Sequence, residues 1–202
     1  SLLKNNALAQ AVLACDANLR QRTADVLLYE WTRTFHPRPG IDRAAALDRL
    51  SPPCDERPLL WAIACGSDRP KAWKDQSRPA DVYFLKGVLA ELSAELGVPL
   101  VLGPADPTQP LSGCLHPGRQ ASIIQDGSTV GILGEVHPSV LKRARMKRGR
   151  PCYMELDATA LSRAGARPAY ADPSIFQPVE RSLAFGLPLN FEARRVASLL
   201  LA

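Results

Sequence analysis

The hydrophobic positions of this 202-residue chain change period along its length, and each period predicts a different element. Residues 3–20 carry leucine and valine at three- and four-residue steps, which predicts an amphipathic helix. Val26–Phe35 is rich in β-branched and aromatic residues and is stopped by Pro37, which predicts a strand. Leu59–Cys65 is almost wholly apolar and ends at a glycine, as expected of a buried strand.

The pattern beyond residue 80 predicts a second helix and a hairpin. An apolar stripe over Val82–Leu96 closes at Gly97, which is typical of a helix with a glycine cap. Ala121–Gln125 and Val130–Val136 flank an Asp-Gly dipeptide that favours a tight hairpin turn. A short helix follows from His137, and a last strand covers Tyr153–Leu156. Because the strands arrive as adjacent hairpins, we expect an α+β fold with an antiparallel sheet and flanking helices.

Two loops and one linker separate these elements. Residues 36–57 and 103–113 are rich in proline, and the first could include a short helix at Arg43–Leu50. Small and polar residues over 163–173 predict a linker. A strand at Val179–Leu187 and a helix capped by Asn190 follow, too little to enclose a core. We therefore expect a core domain over 1–165 and a linker with an incomplete second domain over 166–202.

Composition excludes several classes of protein. With 46% apolar and 22% charged residues, the chain is typical of a globular protein. No apolar run reaches the ~20 residues of a membrane helix, and no signal peptide pattern opens the chain, so we expect no membrane partner. The five cysteines include no CxxC pair, which favours reduced thiols and a cytoplasmic location.

The formal net charge of +5 is concentrated in one segment. Residues 142–150 hold six cations and no acid: Lys142, Arg143, Arg145, Lys147, Arg148 and Arg150. Such a run attracts phosphate chains by releasing their counterions, which makes it a candidate contact with RNA backbone. A solvated basic loop explains it equally well, and the sequence leaves both interpretations open.

Motifs for independent catalysis are missing from the sequence. It has no phosphate-binding GxxxxGK[ST] loop, no GxGxxG, no HExxH and no GxSxG. Cys114 and His116 lack the second pair of ligands that zinc requires, so we expect no metal site. Glu135 and His137 could act as acid and base beside Arg119. The interpretation we favour is that His137 caps a turn and Arg119 pairs with a carboxylate.

Several segments, taken in order, resemble the beta subunits of bacterial phenylalanyl-tRNA synthetases. The most specific are His116-Pro117-Gly118-Arg119-Gln120-Ala121 and Gly131-Ile132-Leu133-Gly134-Glu135-Val136-His137-Pro138; the others are Leu28–Phe35, Arg57–Gly66, Leu85-Lys86-Gly87 and Tyr153–Asp157. Residues 176–184 resemble the opening of that family's C-terminal, ferredoxin-like anticodon-binding domain.

The resemblance implies a class II synthetase-like core that lacks an active site. In this family the alpha subunit binds phenylalanine and ATP, and the beta module packs against it in a two-plus-two assembly. His36 stands where the catalytic subunit has an arginine, and residues 151–157 lack the arginine of the third class II motif. Without these guanidinium groups little neutralises a triphosphate. We therefore expect no catalytic, cofactor or metal residues here, with ATP and Mg²⁺ belonging to the assembled enzyme.

The implied partners are the alpha subunit and tRNA. The candidate subunit contacts are the apolar positions of the first helix, Leu3, Leu8, Val12 and Leu19, together with the sheet edge, and the candidate tRNA contacts are the six cations of the basic run. Two alternatives stay open. One is a free-standing relative that binds tRNA or another nucleic acid, and the other is an independent class II-like enzyme that uses Arg119, Glu135 and His137.

Overall fold

The computed structural model of the protein describes residues 3–40, 54–70, 72–73, 76–162, 170, 172, 176–188, 191 and 193–200. The chain divides into two compact units, residues 1–168 and residues 169–202. Among the described residues, the helices of the first unit are α1 (Leu8–Arg20), α2 (Val82–Leu96) and α3 (Pro138–Arg143). Its strands are β1 (Val26–Pro37), β2 (Cys54–Cys65), β3 (Val101–Gly103), β4 (Leu115–Gln125), β5 (Ser128–Val136) and β6 (Cys152–Asp157). The second unit contains α4 (Ala193–Leu200).

The six strands form one sheet in the order β1-β2-β6-β5-β4-β3, and each neighbouring pair is antiparallel. β4 and β5 form the predicted hairpin, with the left-handed backbone of Asp126 and Gly127 at its turn. β6 is the last of the described strands, yet it lies between β2 and β5 at the centre of the sheet. This order leaves β1 and β3 as the two edge strands.

One face of the sheet packs against α1. Leu8, Ala11, Val12 and Cys15 are buried on the inner side of this helix. They belong to the same core cluster as Trp61, Ile63 and Tyr153 of the sheet, where the Trp61 and Tyr153 rings stack with centroids 6.5 Å apart. The stripe of leucine and valine in the sequence is therefore the buried side of α1.

The opposite face packs against α2, over its β4, β5 and β6 portion. Asp81 caps the helix, since its carboxylate accepts hydrogen bonds from the backbone N–H groups of Tyr83 and Phe84 at 2.9 and 3.1 Å. Gly97 ends the helix in the left-handed conformation, with φ of 62°. Leu85 and Leu89 are buried in this second core cluster, whose sheet residues include Ile123, Leu133 and Met154.

The predicted elements of the first unit are confirmed, with differences in extent and one short strand that was not predicted. β4 begins at Leu115 instead of Ala121. α1 begins at Leu8 instead of residue 3. β2 begins at Cys54 instead of Leu59, because β1 offers a paired backbone as far as Pro37 and Arg33 binds Glu56 across the strands at 2.7 Å. β3 is absent from the prediction, because three residues carry no periodicity and this strand is defined only by its pairing with β4.

The second unit differs more from its prediction. Residues 177–188 have no regular secondary structure, so the strand predicted at Val179–Leu187 is wrong for this structure. A strand needs the backbone of another strand as its hydrogen-bonding partner, and the described residues of this unit supply none. The predicted terminal helix is present as α4. Asn190 and the helix predicted at Arg43–Leu50 lie outside the described residues.

Candidate functional site

The open face of strand β1 is the most unusual surface of the first unit. Side chains alternate along a strand, so Leu27, Tyr29 and Trp31 share one face, and they are 44%, 81% and 59% exposed. The opposite face of the strand contributes Val26 and Leu28 to the core on the α1 side. Among the described residues, α2 packs on the β4, β5 and β6 part of the sheet and leaves this face of β1 uncovered. Large apolar side chains are therefore left in solvent.

These side chains form one wall of an apolar trough of about 740 Å³. β2 supplies its floor through Leu60, Ala62 and Ala64, and α2 supplies the other wall, with Val88 and Leu96 at its rim. Apart from Ser162, every residue that lines the trough is apolar or aromatic. Contiguous apolar surface of this kind marks an interaction site in soluble proteins. We call this surface the apolar trough.

The α1 face of the sheet holds a separate polar pocket of about 340 Å³, near the outer end of β1 and β2. Thr34 and His36 of β1, Arg57 of β2 and the carboxylates Glu155 and Asp157 of β6 line it. One guanidinium therefore faces two carboxylates, a balance that disfavours a polyanion such as a triphosphate. His36, which the sequence resemblance aligns with an arginine of the catalytic subunit, lies in this pocket.

Glu155 is held by neighbours at the buried end of this pocket. Its carboxylate accepts hydrogen bonds from the Tyr153 hydroxyl at 2.6 Å and from the Ala7 backbone N–H at 3.4 Å. Burial raises the pKa of the Glu155 carboxyl, and these two hydrogen bonds oppose that rise. Burial and the nearby carboxylate also raise the pKa of Tyr153. Both groups join β6 to the start of α1, which is a structural role.

The substitution Glu155→Gln should flatten the pH dependence of stability. A carboxyl with a raised folded-state pKa contributes stability that is fully present below its unfolded pKa and is lost as pH rises through the folded pKa. The amide oxygen can still accept a hydrogen bond from the Tyr153 hydroxyl. We therefore expect the free energies of unfolding of the variant and the wild type to differ by no more than about 1 kcal/mol near pH 4. The free energy of unfolding of the variant should rise relative to that of the wild type as pH rises towards neutrality. Urea denaturation at a series of pH values tests this, and parallel stability curves would contradict it.

The three residues of the alternative enzyme, Arg119, Glu135 and His137, are occupied by structural contacts. The Glu135 carboxylate binds the Arg119 guanidinium at 2.6 Å. His137 caps α3, because its Nδ1 accepts a hydrogen bond from the Ser139 backbone N–H at 3.1 Å. The capping and pairing interpretation is therefore the one that the structure bears out. Pro138 at the first helical position explains why the β5 pattern stops there.

Neither a metal centre nor a disulfide is present in the described part of the chain. Within those residues, no three side chains of His, Cys, Asp or Glu come together to hold a metal ion. Cys114 ends the 3₁₀ turn Ser112–Cys114 and His116 lies in β4, and the described residues bring no further ligands to them. All five cysteines are free thiols. None of the described helices is both long enough and apolar enough to cross a bilayer.

The basic run begins in the last turn of α3 and divides into three parts. Arg145, Lys147 and Arg148 line a cleft of about 410 Å³ together with Arg20 and Arg22 from the end of α1. Lys142 and Arg143 are exposed on α3 and do not line it. Arg150 instead lines a cavity beside the Arg119–Glu135 pair. We call the first cavity the basic cleft.

Sequence reasoning missed the contribution of α1 to the basic cleft. Arg20 and Arg22 lie at the end of a segment for which the apolar pattern predicts only the buried side chains. The only local signal is the pair of arginines at the end of the predicted helix, where basic residues also favour the helix dipole.

The candidate subunit contacts of α1 have very different exposures. Leu8 and Val12 are 3% and 1% exposed, because they pack on the chain's own sheet. Leu19 is half-buried against the same core, and Leu3 is 63% exposed. Buried side chains have no surface left for a partner, so of these four candidates Leu3, which precedes α1, and part of Leu19 remain available.

Comparison with known proteins identifies the family. The sequence profile of the phenylalanyl tRNA synthetase beta chain CLM domain matches residues 1–158. The phenylalanine–tRNA ligase beta subunit of Symbiobacterium thermophilum aligns with 89% of this chain at 33% identity. That of Dechloromonas aromatica aligns with 86% of this chain at 36% identity. The chain spans 18% and 20% of the lengths of these two relatives.

Among solved structures, the pyrrolysyl tRNA synthetase PylSc of Desulfitobacterium hafniense matches 79% of this chain and 48% of its own chain. The TM-score is 0.49 at 7% sequence identity. The profile covers most of the chain, and the beta subunits exceed 30% identity over most of it. The chain therefore belongs to the phenylalanyl-tRNA synthetase beta chain family, as the resemblance of its motifs predicts.

Proposed function

We propose that this chain is a module of the beta subunit of phenylalanine–tRNA ligase, with a class II synthetase-like architecture and no active site of its own. It packs on the alpha subunit and supports tRNA binding and aminoacylation in a cytoplasmic heterotetramer. ATP and Mg²⁺ act in the assembled enzyme and not in this chain. The observation that carries the proposal is the apolar trough, because an exposed face that is almost entirely apolar favours burial against a partner.

The alpha subunit is the proposed occupant of the apolar trough. The relatives are named as beta subunits, and a subunit of this name belongs to an enzyme with more than one kind of chain. Exposed aromatic side chains around an apolar floor are the anchors that dominate binding energy at such interfaces. The matching surface on the alpha subunit should present aliphatic side chains to Tyr29 and Trp31. Of the candidate contacts near α1, Leu8 and Val12 are buried in the core on the opposite face of the sheet, and none of the four leucine and valine candidates lines the trough.

The polar pocket supports the absence of catalysis. The charges of Glu155 and Asp157 oppose a triphosphate, and Arg57 is its single arginine. Arg119, Glu135 and His137 are already engaged in an ion pair and a helix cap. This disfavours an independent enzyme. For the second unit, we propose that residues 166–202 begin a ferredoxin-like anticodon-binding domain, on the resemblance of residues 176–184.

Purification with the matching alpha subunit tests the proposal. We expect the chain to form a stable complex that elutes as one species in size-exclusion chromatography, because the apolar trough is then buried. The chain alone should show no ATP–pyrophosphate exchange above background. Failure to form the complex would remove the subunit role, and exchange by the isolated chain would remove the non-catalytic role.

A free-standing RNA-binding protein remains the second candidate function. The basic cleft favours it, because its five cations gather beside a single carboxylate, Asp16. This candidate predicts RNA binding without any complex with the alpha subunit. The two functions are compatible in one molecule, because the basic cleft and the apolar trough share no lining residue.

A further inference from the structure

The basic cleft is built from two segments that are more than 120 residues apart in the chain. Arg20 lies in the last turn of α1 and Arg22 just beyond it. Arg145, Lys147 and Arg148 lie in the loop that follows α3. The five cations line one cavity of about 410 Å³, so the fold concentrates charge that the sequence distributes.

The loop that carries three of these cations is anchored to the core. Met146 is 8% exposed and belongs to the α1-side core cluster, and its backbone N–H donates to the carbonyl of Leu141 at 3.0 Å. Gly149 lies so close to Cys65 that a Cβ there would stand 2.5 Å from the Cys65 Sγ. Buried Met146 on one side and the close approach of Gly149 to Cys65 on the other therefore hold Lys147 and Arg148 in place, and less conformational entropy is lost when they bind a ligand.

Most of the positive charge in the basic cleft is uncompensated. Asp16, which is 8% exposed, binds Arg20 at 2.6 Å and fixes the direction of that side chain. Among the described residues, no carboxylate lies within ion-pair distance of the other four cations. Such a concentration of like charge costs repulsion energy in the free protein, and an anion would relieve it.

The backbone turns in the same way in both segments of the basic cleft. Among the described residues, three that are not glycine have a positive φ, and two of them are Arg22 at 65° and Arg145 at 56°. The third, Asp126, belongs to a hairpin turn. Arg22 and Arg145 each follow the end of a helix, α1 or α3, and the backbone N–H groups of Thr23 and Met146 close these ends on the carbonyls of Asn18 and Leu141 at 3.3 and 3.0 Å. The same helix-end geometry therefore places one arginine of each segment at the cleft.

We infer that the basic cleft binds successive phosphates of an RNA backbone through Arg20, Arg22, Arg145, Lys147 and Arg148. Guanidinium groups bind phosphate oxygens in pairs, and several cations together suit a chain of phosphates. No aromatic residue lines the cleft, so it offers no platform on which bases stack, and its binding is independent of sequence. The identification of the RNA as tRNA rests on the proposed function.

The test compares two triple variants of the whole chain that lose the same charge. The cleft variant carries Arg22→Gln, Lys147→Gln and Arg148→Gln, and the control carries Lys86→Gln, Lys142→Gln and Arg143→Gln. Lys86, Lys142 and Arg143 are exposed outside the cleft, and the last two belong to the basic run. Fluorescence anisotropy with unmodified tRNA at about 50–200 mM salt gives the affinity and its salt dependence. Thermal melts verify that both variants are folded.

We expect the cleft variant to bind tRNA roughly 10- to 100-fold more weakly near 0.1 M salt, with a salt slope lower by about two. The control should change the affinity by less than about threefold, since diffuse charge is screened. Equal losses in the two variants would overturn the inference, because net charge would then explain binding. No tRNA binding by the wild type, or binding to anionic phospholipid vesicles in its place, would also overturn it. None of these results depends on binding to the alpha subunit.

Discussion

The substitution Trp31→Glu should weaken binding to the alpha subunit by at least 100-fold. Trp31 stands on the wall of the apolar trough and is 59% exposed in the free chain. A carboxylate there would have to be desolvated against apolar side chains, and the aromatic anchor would be lost as well. Loss of one interface anchor costs roughly 2–4 kcal/mol, and the buried charge adds to it. Titration of the alpha subunit by isothermal calorimetry measures the effect.

Trp73→Glu is the matched control for this prediction. Trp73 is 97% exposed and does not line the apolar trough, so the same change of side chain should leave binding to the alpha subunit as it is. Both variants should retain the stability of the wild type in urea, because neither tryptophan is buried in the chain alone. If Trp31→Glu binds the alpha subunit as tightly as the wild type, the trough is not the docking surface. The remainder of the beta chain would then be the better occupant.

Gly66→Ala should destabilise the first unit by roughly 3 kcal/mol or more. Gly66 follows β2 with φ of 97°, a conformation that side chains rarely adopt. A Cβ there would also stand 2.6 Å from the Ala24 carbonyl oxygen and 2.9 Å from the Asp25 Cα. Because both neighbours are backbone atoms, relief requires movement of the chain between α1 and β1. Urea denaturation followed by circular dichroism measures the free energy of unfolding.

Gly87→Ala provides the control with the opposite sign. Gly87 lies within α2, and a Cβ there meets nothing within 4 Å. Alanine favours helix over glycine by about 0.5–1 kcal/mol, so this variant should be slightly more stable than the wild type. Equal effects of the two substitutions would contradict the argument from backbone geometry at Gly66.

The elements that could be predicted are those whose signals are local. The bounds of α2 follow from Asp81 and Gly97, which satisfy the ends of the helix through neighbouring residues. His137 and Pro138 mark the start of α3 in the same way. β3 and the first residues of β2 were not predicted. They are strands only because they pair with β4 and β1, and the sequences of those partners do not show where the pairing extends. The segment Val179–Leu187 is the opposite case. Its sequence pattern is typical of a strand, but the described residues of its unit offer no strand for it to pair with.

The two candidate surfaces differ in the same respect. The basic run at 142–150 is visible in the sequence, but its division between the cleft and the face of α3 is not. The apolar residues of β1 are equally visible, but periodicity alone places them in the core. The prediction of subunit contacts on α1 reflects this limit, because the pattern that identifies Leu8 and Val12 as apolar is the pattern that buries them.

By itself, the amino-acid sequence determined the family, the helices and most strands, and the absence of known catalytic motifs, because these depend on residues close together in the chain. Only the tertiary structure decided that β1 lies at the edge of the sheet with one face exposed. It also decided that Arg22 and Arg148 line the same cleft. Exposure and charge density depend on which distant segments pack together. That packing is set by the order of the strands and not by any single segment.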